Sequence, residues 1–167
     1  MTHRQESTSA RLILIAAALS GMLACNPKGA PMDLAQLTSF GTRYTAAWCS
    51  QNAASVAAFF SEAGSLQINS GAPSVGRTAI TASAQSFMTA FPDMVVAMDG
   101  VDLRGDGSVY RWTLTGTNTG PGGSGKAVRI SGYEEWRFGA DGLIAESKGR
   151  FDEADYKRQL SAETSAK

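Results

Sequence analysis

Very few side chains in this sequence are able to move a proton near neutral pH, and they can be taken one by one. Glu134 stands in AVRISGYEEWRF at the same alternate positions as Val128, Ile130 and Trp136. In a strand that alternation puts it on the apolar side. Desolvation there raises a carboxyl's pKa and suits it to acid/base work. A bulge at Gly132 that reverses the register, or an ion pair with a strand neighbour, would make it an ordinary structural residue instead. Asn118, in TLTGTNTGP, both donates and accepts hydrogen bonds, so it can orient a carbonyl. It has no proton to exchange at neutral pH, and the same stretch also reads as a glycine-eased strand end leading into a hairpin. Lys148 and Arg150 alternate with Glu146 and Asp152 near the end of the chain. They form either an anion site for a substrate carboxylate or enolate or a solvated ladder of alternating charge. Asp152 more naturally caps the turn that follows it than abstracts a proton.

What is missing narrows the chemistry further. The single histidine is His3, and Cys49 is the only cysteine besides Cys25. A Ser-His-Asp triad, a Cys-His pair and an imidazole-bound zinc site are therefore excluded from the body of the chain. Cys49, beside Trp48, reads as a small core thiol. Lys+Arg and Asp+Glu both number 15, a balance that argues against a nucleic-acid groove or a polybasic membrane surface. No glycine-rich loop precedes a helix in the phosphate-binding pattern.

The N-terminal stretch has the form of a targeting signal. Arg4 and Arg11 precede the apolar run LILIAAALSGMLAC, which falls short of the roughly 20 residues that span a bilayer. Basic residues, a short apolar core and small residues before a cleavage point describe a secretory leader. Met22-Leu23-Ala24-Cys25 resembles the lipobox of bacterial lipoproteins, in which the cysteine is acylated. Ordinary cleavage nearby would leave Cys25 incidental. The resulting organisation is a leader over 1–24, a tether over 25–31, one domain over 32–159 and a disordered tail over 160–167. Asn26 resembles the sorting pattern for the Gram-negative outer membrane, so the expected address is the cell envelope, anchored by lipid and facing the periplasm. Secretion into the periplasm is the alternative.

The elements that must position the candidate residues follow from periodicity. Leu34, Leu37, Phe40, Tyr44 and Trp48 recur at helical steps, with Pro31 suited to the first turn. Asn52 can cap a second helix, AASVAAFFSEAG, that Gly64 would end. SLQIN reads as a strand, and SGAPSVG as a turn-rich connector. A third helix runs from about Thr78 to Phe91, stopped by Pro92. Four strands follow over 94–103, 108–117, 127–138 and 143–151, separated by RGDG, GPGGSG and GADG. EADYKRQL allows a short closing helical turn. Helices followed by a long antiparallel meander make an α+β fold. Its sheet has one aromatic face (Tyr110, Trp112, Leu114) and one polar face (Arg111, Thr113, Arg129, Tyr133, Arg137).

The order helix–helix–strand–helix, then FPDM, a meander, GTNTGP and DGLIAESKGRFD, resembles the SnoaL-like polyketide cyclases of the nuclear-transport-factor-2-like superfamily. The resemblance covers roughly Met32 to Gln159 and implies a cone: a strongly curved antiparallel sheet wrapped around three helices, with an internal pocket. It also marks departures. Asn118 stands where the family's T-H-T-G motif has histidine, and Gly149 where its acid is found. The first strand offers Gln67 and Asn69 where isomerase-like relatives carry an Asp base. The fold implies a pocket lined by Tyr44, Trp48, Phe87, Phe91 and Trp112, suited to a small apolar organic molecule. No cofactor or metal is implied. For an enzyme, the expectation is proton transfer in isomerisation, cyclisation or dehydration, with Glu134 as acid/base, Asn118 orienting a carbonyl and Tyr44 as a second donor. The alternative is an interaction module, forming a homodimer or an envelope contact through the polar sheet face.

Overall fold

The computed structural model describes residues 32–105 and 107–161. The expected leader, Cys25 and the expected tether lie outside the described residues. Helix α1 (Leu34–Cys49) begins with a capping box. Asp33 Oδ1 accepts the Gln36 backbone N–H at 2.8 Å, and Gln36 Oε1 accepts the Asp33 N–H at 2.9 Å. Two otherwise orphaned amides are thereby satisfied. The helix buries Leu37, Phe40, Gly41, Tyr44, Ala47 and Trp48, one stripe at three- and four-residue steps. Leu34 stays exposed.

The second helix is shorter than its composition suggests. Helix α2 covers only Ala53–Ala57, and Asn52 makes no side-chain cap. The chain turns extended at once, so strand β1 runs from Phe60 to Ile68 and takes in the expected end of the helix. Gly64, expected as a helix terminator, lies inside this strand. A Cβ there would stand 2.6 Å from the carbonyl oxygen of Ile144 and 2.9 Å from that of Ser61. Close backbone approach, rather than helix termination, therefore explains the glycine. Within the expected connector, Ser74–Val75 forms a two-residue edge strand, β2.

Helix α3 (Gly76–Ala90) buries Ile80, Ala84 and Met88. Strands β3 (Val95–Arg104), β4 (Gly107–Thr117), β5 (Ala127–Phe138) and β6 (Ile144–Phe151) then form the antiparallel meander. The six strands lie in the order β2-β1-β6-β5-β4-β3. The β1–β6 pair runs parallel, and the other pairs among the described strands are antiparallel. The result is the α+β architecture anticipated above: a curved open sheet whose inner face is covered by helices. Helix α4 (Glu153–Ser161) continues past Gln159, the expected end of the domain. Asp152 caps it by accepting the Asp155 N–H at 2.9 Å.

The β4–β5 register is continuous from Ser108↔Trp136 to Thr117↔Ala127. Gly132 therefore carries no bulge between these strands, and Val128, Ile130, Glu134 and Trp136 all point inward. The core they join is aromatic. Tyr44 makes edge contacts with Trp48, Phe59, Tyr110 and Trp136 at centroid distances of 5.1–6.2 Å. Tyr110 stacks on Trp136 at 4.7 Å. Such pairs each contribute about 0.5–1.5 kcal/mol beyond the area they bury.

Gly64→Ala tests whether backbone contact fixes β1 against β6. Overpacking at this point should lower the unfolding free energy by about 1–3 kcal/mol in urea titrations. Unchanged stability would show that β1 has room at Gly64.

Candidate functional site

Glu134 is 6 % exposed, and its carboxyl oxygens are treated unequally. Oε2 accepts from Ser147 Oγ at 2.6 Å, from Trp136 Nε1 at 2.8 Å and from the Tyr44 hydroxyl at 3.1 Å. Oε1 has only a long contact to the same Tyr44 hydroxyl, at 3.4 Å. Three elements supply these donors: α1, β5 itself and β6. Trp136 lies two residues along the same strand face, and Ser147 is the register partner of Trp136. Gly149 sits directly opposite Glu134; a Cβ there would come 3.7 Å from Glu134 Cγ.

Burial dominates the ionisation of this carboxyl and raises its pKa, while the bonds from Ser147, Trp136 and Tyr44 oppose the rise. Tyr44 is pushed well above the ordinary phenol value, first by burial and then by the Glu134 charge. It is thus a neutral donor at any working pH. Tyr110 is raised for the same leading reason, and its hydroxyl is held by Thr45 Oγ1 at 2.6 Å.

Glu134 belongs to the wall of a narrow cavity that opens to solvent. Trp48 comes from α1, Phe87 from α3, Leu66 and Ile68 from β1, and Val96 from β3. Tyr110, Trp112 and Leu114 come from β4, and Gly149 and Phe151 from β6. The wall is almost wholly apolar, as the greater part of a small-molecule site usually is. With Oε2 saturated, Oε1 is the oxygen with hydrogen-bonding capacity left. A carboxyl in this setting can give a proton when neutral and take one when ionised.

The SnoaL-like polyketide cyclase profile matches residues 38–160, the stretch that builds both the sheet and the chamber. The chain belongs to the SnoaL-like polyketide cyclase family. Among solved structures, a putative SnoaL-like polyketide cyclase from Jannaschia sp. CCS1 is 19 % identical with a TM-score of 0.64, covering 81 % of this chain and 97 % of that one. TsrD from Streptomyces laurentii is 21 % identical with a TM-score of 0.67, covering 78 % and 98 %. SalBIII, described as an epoxide hydrolase/cyclase-like enzyme with a role in pyran ring formation, is 15 % identical with a TM-score of 0.63, covering 74 % and 96 %. At these identities the likeness is one of fold. Among curated proteins no sequence match is found.

Within this SnoaL-like domain the residues singled out from sequence separate into two groups. Trp48, Phe87, Trp112 and Glu134 line the chamber. Tyr44 and Phe91, expected in the lining, do not line it: Tyr44 stands behind Glu134 as its hydrogen-bond donor, and Phe91 is fully buried beside Tyr156. Gln67, Asn69, Asn118 and Lys148 are not among the lining residues. Gln67 donates to the Gly71 carbonyl, and Asn69 Oδ1 accepts the Phe151 N–H at 3.0 Å. Asn118 holds a turn: its Nδ2 donates to the Ala90 carbonyl and its Oδ1 accepts the Ser124 N–H at 2.7 Å. The stretch TLTGTNTGP is thus a strand end and hairpin tied to the end of α3. Lys148 Nζ lies 3.4 Å from Glu146 Oε1, which sits in the same network as Arg137. That is the charge ladder rather than an anion pocket. Cys49 Sγ accepts the Val96 N–H and donates to the Val96 carbonyl.

Sequence reasoning did not find Ser147 or the indole of Trp136 as partners of Glu134. Their one available signal was parity: Ser147 falls on the inward positions of β6, between the charges Glu146 and Lys148.

Glu134→Gln keeps the shape and stands in for the protonated carboxyl. Because burial raises Glu134, the folded protein holds that proton where the unfolded chain has released it. Its stabilising contribution is fully present below the unfolded carboxyl's pKa of about 4.3 and is lost as pH rises through the folded value. Wild-type stability relative to Glu134→Gln should fall across that window in urea unfolding at stepped pH. Parallel curves would mean that Glu134 ionises as an exposed carboxyl does.

Proposed function

We propose that the domain binds a small, largely apolar cyclic molecule in the Glu134 chamber and transfers a proton on it without a cofactor. Isomerisation, cyclisation and dehydration are the reactions within reach of one carboxyl. The observation that carries this reading is the buried Glu134 carboxyl itself, in the wall of an apolar cavity, with one oxygen saturated by three donors and the other holding only a long contact to Tyr44. Glu134 acts as acid to a ligand oxygen and as base to an adjacent C–H. Tyr44, Trp136 and Ser147 hold the carboxyl in place and stabilise its charge when the proton leaves.

The same proposal assigns the domain to the cell envelope, carried by a lipid on Cys25 and reached through the leader at the N-terminus. Support comes from the sequence LACNPKG and the apolar run before it. A non-catalytic interaction module is less well supported, because the outer sheet face spends its charges on its own ion pairs, Arg111–Asp102 and Arg137–Glu146.

The decisive experiment incubates wild type and Glu134→Gln with a panel of ring ketones, lactones and epoxides and follows products by mass spectrometry. Loss of a positioned acid/base should reduce turnover by about 10²–10⁴-fold while ligand binding survives. Equal product formation by both proteins would remove Glu134 from the chemistry. Binding without any turnover would leave a binding protein. In parallel, labelled palmitate should enter wild type and not Cys25→Ser; absence of label in both would end the anchor reading.

A further inference from the structure

Trp112 has a buried indole N–H that the rest of the fold does not use. It comes from β4 and faces Gly132 across the strand pair. The glycine is what lets the ring lie flat over β5: a Cβ there would come within 2.6 Å of Trp112 Cζ2. The ring reaches as far as Phe151 on β6, at 6.3 Å between centroids. Trp112 Nε1 is buried and has no hydrogen-bond partner among the described residues. The contrast with Trp136, whose indole N–H is taken by Glu134, shows that this core can satisfy an indole where it needs to. A buried donor left without an acceptor is costly; the residue that carries it lines the chamber, so a molecule entering there is what can supply the acceptor.

The rest of the wall restricts what that is. The Tyr110 hydroxyl is engaged with Thr45, and Glu134 Oε2 already accepts three bonds. Trp112 is paired with Gly132 and Glu134 with Tyr110. The two side chains are therefore diagonal neighbours on the same face, about 7–8 Å apart at the backbone. A ligand seated against Glu134 lies beside Trp112.

We infer that Trp112 is a specificity-determining residue of this pocket, its Nε1–H donating to an oxygen acceptor on the ligand. This rests on the chamber being the ligand site, as proposed above. The pocket then discriminates a ring bearing an oxygen acceptor from its hydrocarbon analogue of the same shape. A site built around a buried donor rejects the analogue that leaves the donor unpaired.

The test uses 1-tetralone and tetralin, which differ by the ketone, as probes of the intact domain. Wild type should bind tetralone about five- to tenfold more tightly than tetralin, the worth of one such bond. Trp112→Phe keeps a ring over Gly132 and removes the N–H. It should bring the ratio near one while tetralin affinity stays within about twofold. In ¹⁵N-labelled wild type, the Trp112 indole cross-peak, identified by its loss in Trp112→Phe, should move downfield with tetralone and not with tetralin. That second readout stands even if the variant is too unstable to titrate, with the cross-peak then assigned through the backbone. A ketone preference that persists in Trp112→Phe, an indole peak that tetralone leaves unmoved, or equal binding of both probes to wild type would overturn the inference and leave the pocket in place. Failure of both probes to bind at all would overturn the pocket reading, and the inference with it.

Discussion

A carboxyl group inside an aromatic chamber is the constraint around which this domain is organised. Taking an ionisable group out of water costs several kcal/mol unless its hydrogen-bonding capacity is met. Here it is met by groups from three separate elements, Tyr44 on α1, Trp136 on β5 and Ser147 on β6. None of them is close enough in sequence to the others to have been placed by local structure alone. The helix must pack on the sheet at the right height, and β6 must pair with β5 in the right register, before the last donor arrives. The aromatic contacts of Tyr44 with Tyr110 and Trp136 fix that height.

The sheet's two faces divide the work. The inner face holds the Glu134 cluster, whose charge is costly to bury, and the outer face carries charges that stay hydrated. The outer ion pairs, Arg137–Glu146 and Lys148–Glu146, are more than 30 % exposed at every member and contribute little to stability. They serve instead to keep the convex side of a large sheet polar. Helix α4 is tied to β5 by Gln159, whose side chain accepts the Arg129 N–H and donates to the Arg129 carbonyl. Tyr156 from the same helix meets Phe91 and Phe151, so the helix borders the side of the chamber that Phe151 lines.

Much of this was legible in the sequence wherever one period ran uninterrupted. The alternation through β5 placed Glu134 on the apolar face, and the helical stripe of α1 brought Tyr44 and Trp48 inward. Reading failed where local propensity and tertiary contact disagree. AASVAAFF has helical composition, yet pairing with β6 draws Phe60 onward into a strand. Polar residues beside glycines looked like site chemistry at Asn118, but its amide is consumed by backbone at a turn. Ser147 was invisible for a simpler reason. A lone serine between two charges gains meaning only once cross-strand register sets it beside a carboxylate.

The parallel pairing of β1 with β6 has a consequence for how the molecule is made. β6 lies between β1 and β5, so the earliest long strand waits for the latest one before it acquires a neighbour on that side. During synthesis the meander β3–β4–β5 can assemble while β1 has only the two-residue β2 beside it. Closure of the longest loop in the sheet comes last and is the slow, entropically costly event. The same closure brings Ser147 to Glu134. Until then the emerging chain is a half-formed sheet whose buried acid still lacks its Ser147 donor.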